Sequence, residues 1–153
     1  MKKMIWSLLL MLAMTLNAHA YKVGDKIDED VATKLKTQGY KGVVVVDFFA
    51  SWCVSCVIEL PLIDKLDEEL DSNEAKIVGI SMDEELSEGL AFQKELGLKF
   101  FTYNDVKQEV VAKFDPIGVP AIYYIKNGVI KKIIYGAVEH IDQVIKNDLK
   151  KMK

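Results

Sequence analysis

A three-layer α/β domain, with a mixed central sheet between helices, is the fold class that three features of this sequence predict. Segments of strand and helix character alternate in the order strand, helix, strand, helix, strand, helix, hairpin, helix. The first strand, Val43-Val44-Val45-Val46-Asp47-Phe48-Phe49, is β-branched and aromatic with little alternation, as a strand covered on both faces requires. Lys126-Asn127-Gly128 separates two apolar runs, and Asn-Gly is the strongest short hairpin signal, so an antiparallel pair joins the sheet. With 153 residues, half of them hydrophobic and 28% charged, the chain is long enough for one domain with a core of its own.

The first twenty residues stand apart. Lys2 and Lys3 precede an apolar run from Met4 to Leu16, and Ala18-His19-Ala20 has the small-x-small form of a cleavage site. Residues 1–20 therefore read as a secretory signal peptide and 21–153 as the domain. The apolar run falls short of the roughly 20 residues needed to cross a bilayer, which makes an uncleaved membrane anchor the weaker alternative. No cysteine follows the cut, so lipid attachment is not suggested. Removing Lys2 and Lys3 changes the formal charge from −3 to about −5, which argues against a nucleic-acid partner. Every basic residue is lysine, so the bidentate clamp that arginine offers to phosphate or carboxylate is missing. Export places the cysteines in an oxidising compartment, the periplasm, where a disulfide persists.

The elements follow in order. Val31 and Leu35 are spaced as one face of a short helix ending near Gly39. After the first strand, Val57, Leu60, Ile63, Leu66 and Leu70 recur at helical spacing, with Pro61 expected to kink the helix. Lys76 to Met82 is a second strand. Ser81-Met82-Asp83-Glu84 reads as a capping box opening a helix that runs to Leu96 and stops at Gly97. A short strand is expected at Lys99 to Tyr103. Asp105 with Gln108 then offers a cap for a helix carrying Val106, Val110 and Phe114 on one face. Asp115 to Pro120 is loop, and the hairpin strands are Ala121 to Ile125 and Val129 to Tyr135. Val138, Ile141, Ile145, Leu149 and Met152 form the apolar stripe of a last helix, with lysines in its final turns where the dipole favours cations.

Both cysteines fall in Trp52-Cys53-Val54-Ser55-Cys56, where the first strand hands over to a helix. A thiolate, not a thiol, attacks a disulfide, and a helix N-terminus favours negative charge. Cys53 is thus the candidate nucleophile, and Cys56, one turn on, the resolving thiol. A structural staple is the bland alternative, but closing so short a loop stabilises by only about 2 kcal/mol. A metal pair is another, yet a closed zinc site wants four ligands, and only His140 lies outside the signal peptide to help two cysteines. No cofactor or metal is expected beyond a redox-active Cys53–Cys56 disulfide.

These residues resemble the thioredoxin superfamily, and within it the exported TlpA/ResA-like thiol:disulfide oxidoreductases. The likeness runs from about Val43 to the end. Val46-Asp47-Phe48-Phe49-Ala50-Ser51-Trp52-Cys53-Val54-Ser55-Cys56 looks like the thioredoxin active-site segment, with Pro61 at the helix-kink position. Gly118-Val119-Pro120, an apolar strand and Lys126-Asn127-Gly128 look like that fold's cis-proline loop and hairpin. Glu59, in C-x-x-C-x-x-E-x-P, and the added helix and strand between Ser81 and Tyr103 point to the exported subfamily. Asp47 resembles the buried aspartate of thioredoxin itself, where the subfamily commonly has asparagine. Val54-Ser55 lacks the proline that often precedes the second cysteine, and the N-terminal segment lacks the subfamily's usual strand hairpin.

The resemblance implies a thioredoxin-like three-layer sandwich with an inserted helix and strand. It implies a cis Pro120 beside the disulfide, with Val119 lending backbone hydrogen bonds to an extended substrate segment. Asp47 would be a buried carboxylate of raised pKa taking a proton from Cys56, although a strand-end cap is the plainer reading. Glu59 would tune the thiols, but an exposed helix glutamate explains it almost as well. Trp52 would pack and touch substrate. Expected partners are protein thiols and disulfides and a membrane thiol electron donor, and the protein is expected to be a monomer. Potentials in the superfamily span about −270 to −120 mV. Val54-Ser55 carries no histidine to stabilise the Cys53 thiolate, and Asp47 resembles the reducing branch. A periplasmic reductase is the leading expectation, with cytochrome c maturation as one setting. An oxidase or isomerase, or a non-catalytic binding or chaperone domain, is the alternative. Peroxide reduction ranks low because the arginine support of peroxiredoxin relatives has no counterpart.

Overall fold

The computed structural model describes residues 20–153, so the segment read as a signal peptide lies outside the described residues except for Ala20. In chain order the elements are α1 (Glu29–Lys34), β1 (Val43–Phe49), α2 (Val54–Glu69), β2 (Ala75–Ser81), α3 (Leu86–Leu96), β3 (Thr102–Asn104), α4 (Glu109–Phe114), β4 (Ala121–Lys126), β5 (Val129–Tyr135) and α5 (Ile141–Lys151). The five strands form one sheet in the order β3-β2-β1-β4-β5. β1 and β2 are parallel, from Val43 opposite Ala75 to Phe49 opposite Ser81, and β3 extends that parallel half. β4 and β5 are antiparallel, so the sheet is mixed. Asn127 and Gly128 both take positive φ, 53° and 74°, the backbone that a tight hairpin turn needs and that Asn-Gly adopts at least cost.

Every residue of β1 is buried, as its unbroken apolar run predicts for a central strand. Its side chains alternate between two cores. Val43, Val45 and Phe49 pack with Cys53, Cys56, Leu60, Ile63 and Leu66 around α2, joined by Phe92 of α3 and by Ile141, Ile145 and Leu149 of α5. Val44, Val46 and Phe48 face the other way, onto Val31 and Leu35 near α1 and Val110 and Phe114 of α4. Phe48, Phe114 and Tyr123 meet ring to ring at centroid distances of 5.0, 5.5 and 4.9 Å. Each such ring contributes about 1.5–3 kcal/mol by burial alone. Helices on both faces of a mixed sheet give the three layers.

Several boundaries differ from the sequence reading, each for a local reason. α1 ends at Lys34 because Lys36 turns left-handed, φ 52°, well before Gly39. The capping box at Ser81 does not form: Ser81 is still in β2, and its hydroxyl and the Asp83 carboxylate bond each other, so α3 starts at Leu86 with Glu85 as an N-cap whose side chain makes no cap bond. β3 begins at Thr102, not Lys99, because the Lys99 and Phe100 N–H groups donate to Asp64 on α2. α4 begins at Glu109 and leaves Val106 exposed; Asp105 still caps it, accepting from Glu109 N at 3.1 Å and Val111 N at 2.7 Å. Val57, placed on the apolar stripe of α2 by spacing, is also exposed. The N-terminal segment forms a single bridge, Lys26 to Val129, and covers part of the β5 edge.

Candidate active site

β1 delivers the chain to a turn, Ala50 to Cys53, closed by Cys53 N donating to Ala50 O at 3.1 Å. α2 starts at the next residue, so Cys53 is its N-cap. The Cys53 sulfur accepts from the backbone N–H of Cys56 at 3.3 Å, a donor in the first turn of the helix that it shares with the Cys53 carbonyl at 3.2 Å. Its first turn carries no acidic residue to oppose negative charge there. The two cysteines are joined as a disulfide. Cys53 keeps 5% exposure and Cys56 none, so Cys53 is the more accessible residue of the pair. The Ser55 hydroxyl stands 3.7 Å from the Cys53 sulfur, a polar neighbour that the sequence reading did not single out.

Asp47 occupies the position of β1 between Val45 and Phe49, both of which pack in the cluster that holds the two cysteines, so the alternation of the strand sets it toward α2. It is fully buried, and neither carboxylate oxygen has a hydrogen-bond partner among the described residues. Burial pushes its carboxyl well above the usual carboxylate range, and the Glu59 charge pushes the same way. Among the described residues, no donor supports a backbone-capping role for Asp47. Glu59 is not an exposed helix glutamate: it is 5% exposed, with Oε1 unbonded, and burial raises it to about 7. Its place follows from helical period, three residues after the buried Cys56 and one before the buried Leu60. Two buried carboxyl groups thus lie in the space between β1 and α2, one from each element.

The Val119–Pro120 peptide is cis. Pro120 is buried, its carbonyl accepting from Gly136 N at 2.9 Å, and Val119 packs against both core clusters. Among the described residues, no backbone hydrogen bond engages Val119. Trp52 is 66% exposed and lies outside the core; Val54, Ile58 and Ile117 are exposed as well. Of these, Trp52 and Val54 flank Cys53 in the chain.

One group near the site comes from far along the chain. Asp83, between β2 and α3, accepts from Ser51 N and from the Ser51 and Ser81 hydroxyls. By sequence pattern alone this stretch reads as a helix cap. Among the described residues, no group of three or more histidine, cysteine, aspartate or glutamate side chains is arranged to hold a metal ion, and no helix is long and apolar enough to cross a membrane.

Comparisons with known proteins bear on this geometry. The model of the AhpC/TSA family matches residues 17–133. The thiol-disulfide oxidoreductase ResA of Oceanobacillus iheyensis is 30% identical over 118 residues, which cover 76% of this chain and 60% of that protein. Thioredoxin of Bacillus subtilis is 28% identical over 88 residues, 58% of this chain and 62% of its own length. The chain thus spans about three-fifths of the length of these curated relatives. Among solved structures, a Chlorobium tepidum protein provisionally designated thiol:disulfide interchange protein DsbE superposes with a TM-score of 0.74 at 18% identity, covering 86% of this chain and 98% of that one. That superposition shows a thioredoxin-like fold.

Proposed function

The chain belongs to the AhpC/TSA family, and from that premise we propose that it is an exported thiol:disulfide oxidoreductase whose Cys53–Cys56 dithiol reduces disulfides of periplasmic proteins. The observation that carries this reading is the cysteine pair at the start of α2, backed by two buried and unbonded carboxyl groups. The ResA and thioredoxin relatives support the same chemistry. Peroxide reduction fits less well, because both cysteines sit one helical turn apart in a shared disulfide and the sequence holds no arginine.

In the proposed cycle the Cys53 thiolate attacks one sulfur of a substrate disulfide. The substrate S–S bond breaks, a Cys53–substrate disulfide forms, and the first substrate thiolate leaves and takes up a proton. Cys56 is then activated by giving its proton to the Asp47 carboxylate, directly or through water. Its thiolate attacks the Cys53 sulfur, expels the second substrate thiolate and regenerates the Cys53–Cys56 disulfide. Two electrons have passed to the substrate. Glu59, raised to about 7, biases the protonation of Asp47 because two adjacent buried carboxylates resist being charged together. Val119 offers its backbone groups to an extended substrate segment, and Trp52 lines the approach.

The wider assignment takes residues 1–20 as a signal peptide and 21–153 as a monomeric domain. The two electrons that reset the disulfide come from a membrane thiol donor. Apocytochrome cysteines, which must be reduced before haem attachment, are the substrate class that the ResA likeness favours. Insulin reduction tests the activity: the wild-type protein turns over with a thiol donor, and Cys53→Ser abolishes turnover. Cys56→Ser is expected to accumulate mixed disulfides, whose partners name the substrate. Full activity in the Cys53 variant would refute the assigned roles.

A further inference from the structure

The turn that presents Cys53 is closed by one bond of its own, Cys53 N to Ala50 O, and is also held from outside its segment. Ala50 to Cys53 forms it, Ser51 and Trp52 are its central residues, and the Trp52 side chain stands in solvent. Ser51 is fixed from outside, by Asp83. The Ser51 N–H lies 3.1 Å from both carboxylate oxygens, and the Ser51 hydroxyl donates to Oδ1 at 2.6 Å. On the other side Oδ2 accepts from the Ser81 hydroxyl at 2.9 Å. Ser81 is the last residue of β2 and pairs with Phe49, so the carboxylate ties the turn to the rigid end of the sheet.

Asp83 is 3% exposed, and its bonds to both serines are charge-assisted and shielded from water. α3 closes over it. A Cβ at Gly89, in the first turn of α3, would fall 2.7 Å from the Ser81 hydroxyl oxygen and 3.3 Å from Asp83 Oδ2. The added segment between β2 and β3 is therefore built around this carboxylate, with glycine where the helix crosses it.

We propose that Asp83 is a positioning residue for the redox centre: through Ser51 it locks the Ala50–Cys53 turn and so sets the Cys53 sulfur against the N-terminus of α2. The inference rests on thiol–disulfide exchange at Cys53–Cys56 and extends it to the β2–α3 segment. Asp83 touches no reacting atom. Its effect reaches the thiol through two residues of backbone, and a displacement of about 1 Å at a reacting group costs on the order of 10²-fold in rate.

Electrostatics and positioning make opposite predictions here, which gives the test its edge. Removing a negative charge near Cys53 would by itself ease thiolate formation. Loosening the turn would weaken the helix-end contacts that favour the thiolate. The experiment measures alkylation of reduced Cys53 by iodoacetamide against pH, together with the equilibrium against glutathione, for the wild-type chain, Asp83→Asn, Ser51→Ala, Ser51→Thr and the Asp83→Asn/Ser51→Ala double variant. The expected result is alkylation about tenfold slower at neutral pH in Asp83→Asn and about threefold slower in Ser51→Ala. Ser51→Thr keeps the hydroxyl and restores the wild-type rate. The double variant is no slower than Asp83→Asn, because both changes break the same link. Unchanged or faster alkylation in a folded Asp83→Asn overturns the proposal, as does a loss of melting temperature with an unmoved pH profile. If Asp83→Asn does not fold, the Ser51→Ala and Ser51→Thr pair decides, and equal rates in the two contradict it. A wild-type disulfide that fails to exchange with glutathione at all removes the exchange reading itself, and is told apart from the other outcomes by needing no variant.

Discussion

Cys53 owes its proposed reactivity to a small set of donors. The Cys56 N–H points at its sulfur from 3.3 Å and the Ser55 hydroxyl stands 3.7 Å away, while no carboxylate occupies the first turn of α2. A hydrogen bond to a charged acceptor contributes about 1.5–3 kcal/mol, and one pKa unit corresponds to about 1.4 kcal/mol. Ser55→Ala is expected to move the pH midpoint of Cys53 alkylation upward, by less than loss of a short hydrogen bond would because the Ser55 contact is long. A backbone donor cannot be removed by mutation, so part of the effect persists. Asp47 is the counterpart on the proton side. Replacing it with asparagine removes a buried carboxylate that no donor among the described residues satisfies, and is expected to stabilise the oxidised protein by about 1 kcal/mol or more at neutral pH. The same change is expected to slow resolution of the mixed disulfide by about 10²-fold, since a general base is lost. Urea unfolding and single-turnover insulin reduction check the two effects, and a faster resolving step would rule out Asp47 as the proton acceptor.

The site belongs to the junction between β1 and α2, and much of that junction was legible in the sequence. The apolar run of β1, the strand-to-helix placement of the C-x-x-C and the Asn-Gly hairpin are local patterns, and each element appeared where they indicated. α2 was harder because its first half is apolar nearly all round: Val54, Val57 and Ile58 are exposed while Glu59 is buried. Composition alone orients such a helix wrongly. Period does better, since fixing Cys56 inward sets Glu59, Leu60 and Ile63 inward with it. Asp83 was hidden for another reason. Its partner Ser51 is 32 residues away, and Ser81-Met82-Asp83-Glu84 satisfies the local pattern of a helix cap although the chain uses it to bind a distant turn. Likewise β3 starts late because Asp64, from α2, takes the N–H groups of Lys99 and Phe100. Pairings between distant segments leave no periodic trace.

For the whole molecule, the buried carboxyls link stability to pH. Glu59 moves from 4.5 to about 7 on folding, and Asp47 moves in the same direction, so the folded state binds the extra protons. Their contribution is complete below the unfolded values and is lost as pH rises through the folded ones. Thermal stability is therefore expected to fall between about pH 4.5 and 7 by an amount that Glu59→Gln reduces, and a Glu59→Gln curve parallel to wild type would contradict the burial of that group. The same fold supports reductants, oxidants and isomerases, so the direction of electron flow is a property of the complete domain and its donor. The most direct measurement is the equilibrium of the Cys53–Cys56 couple with glutathione. A reducing protein requires a value toward the thioredoxin end of the range, about −270 mV, whereas a value near −120 mV would show an oxidant and contradict the account.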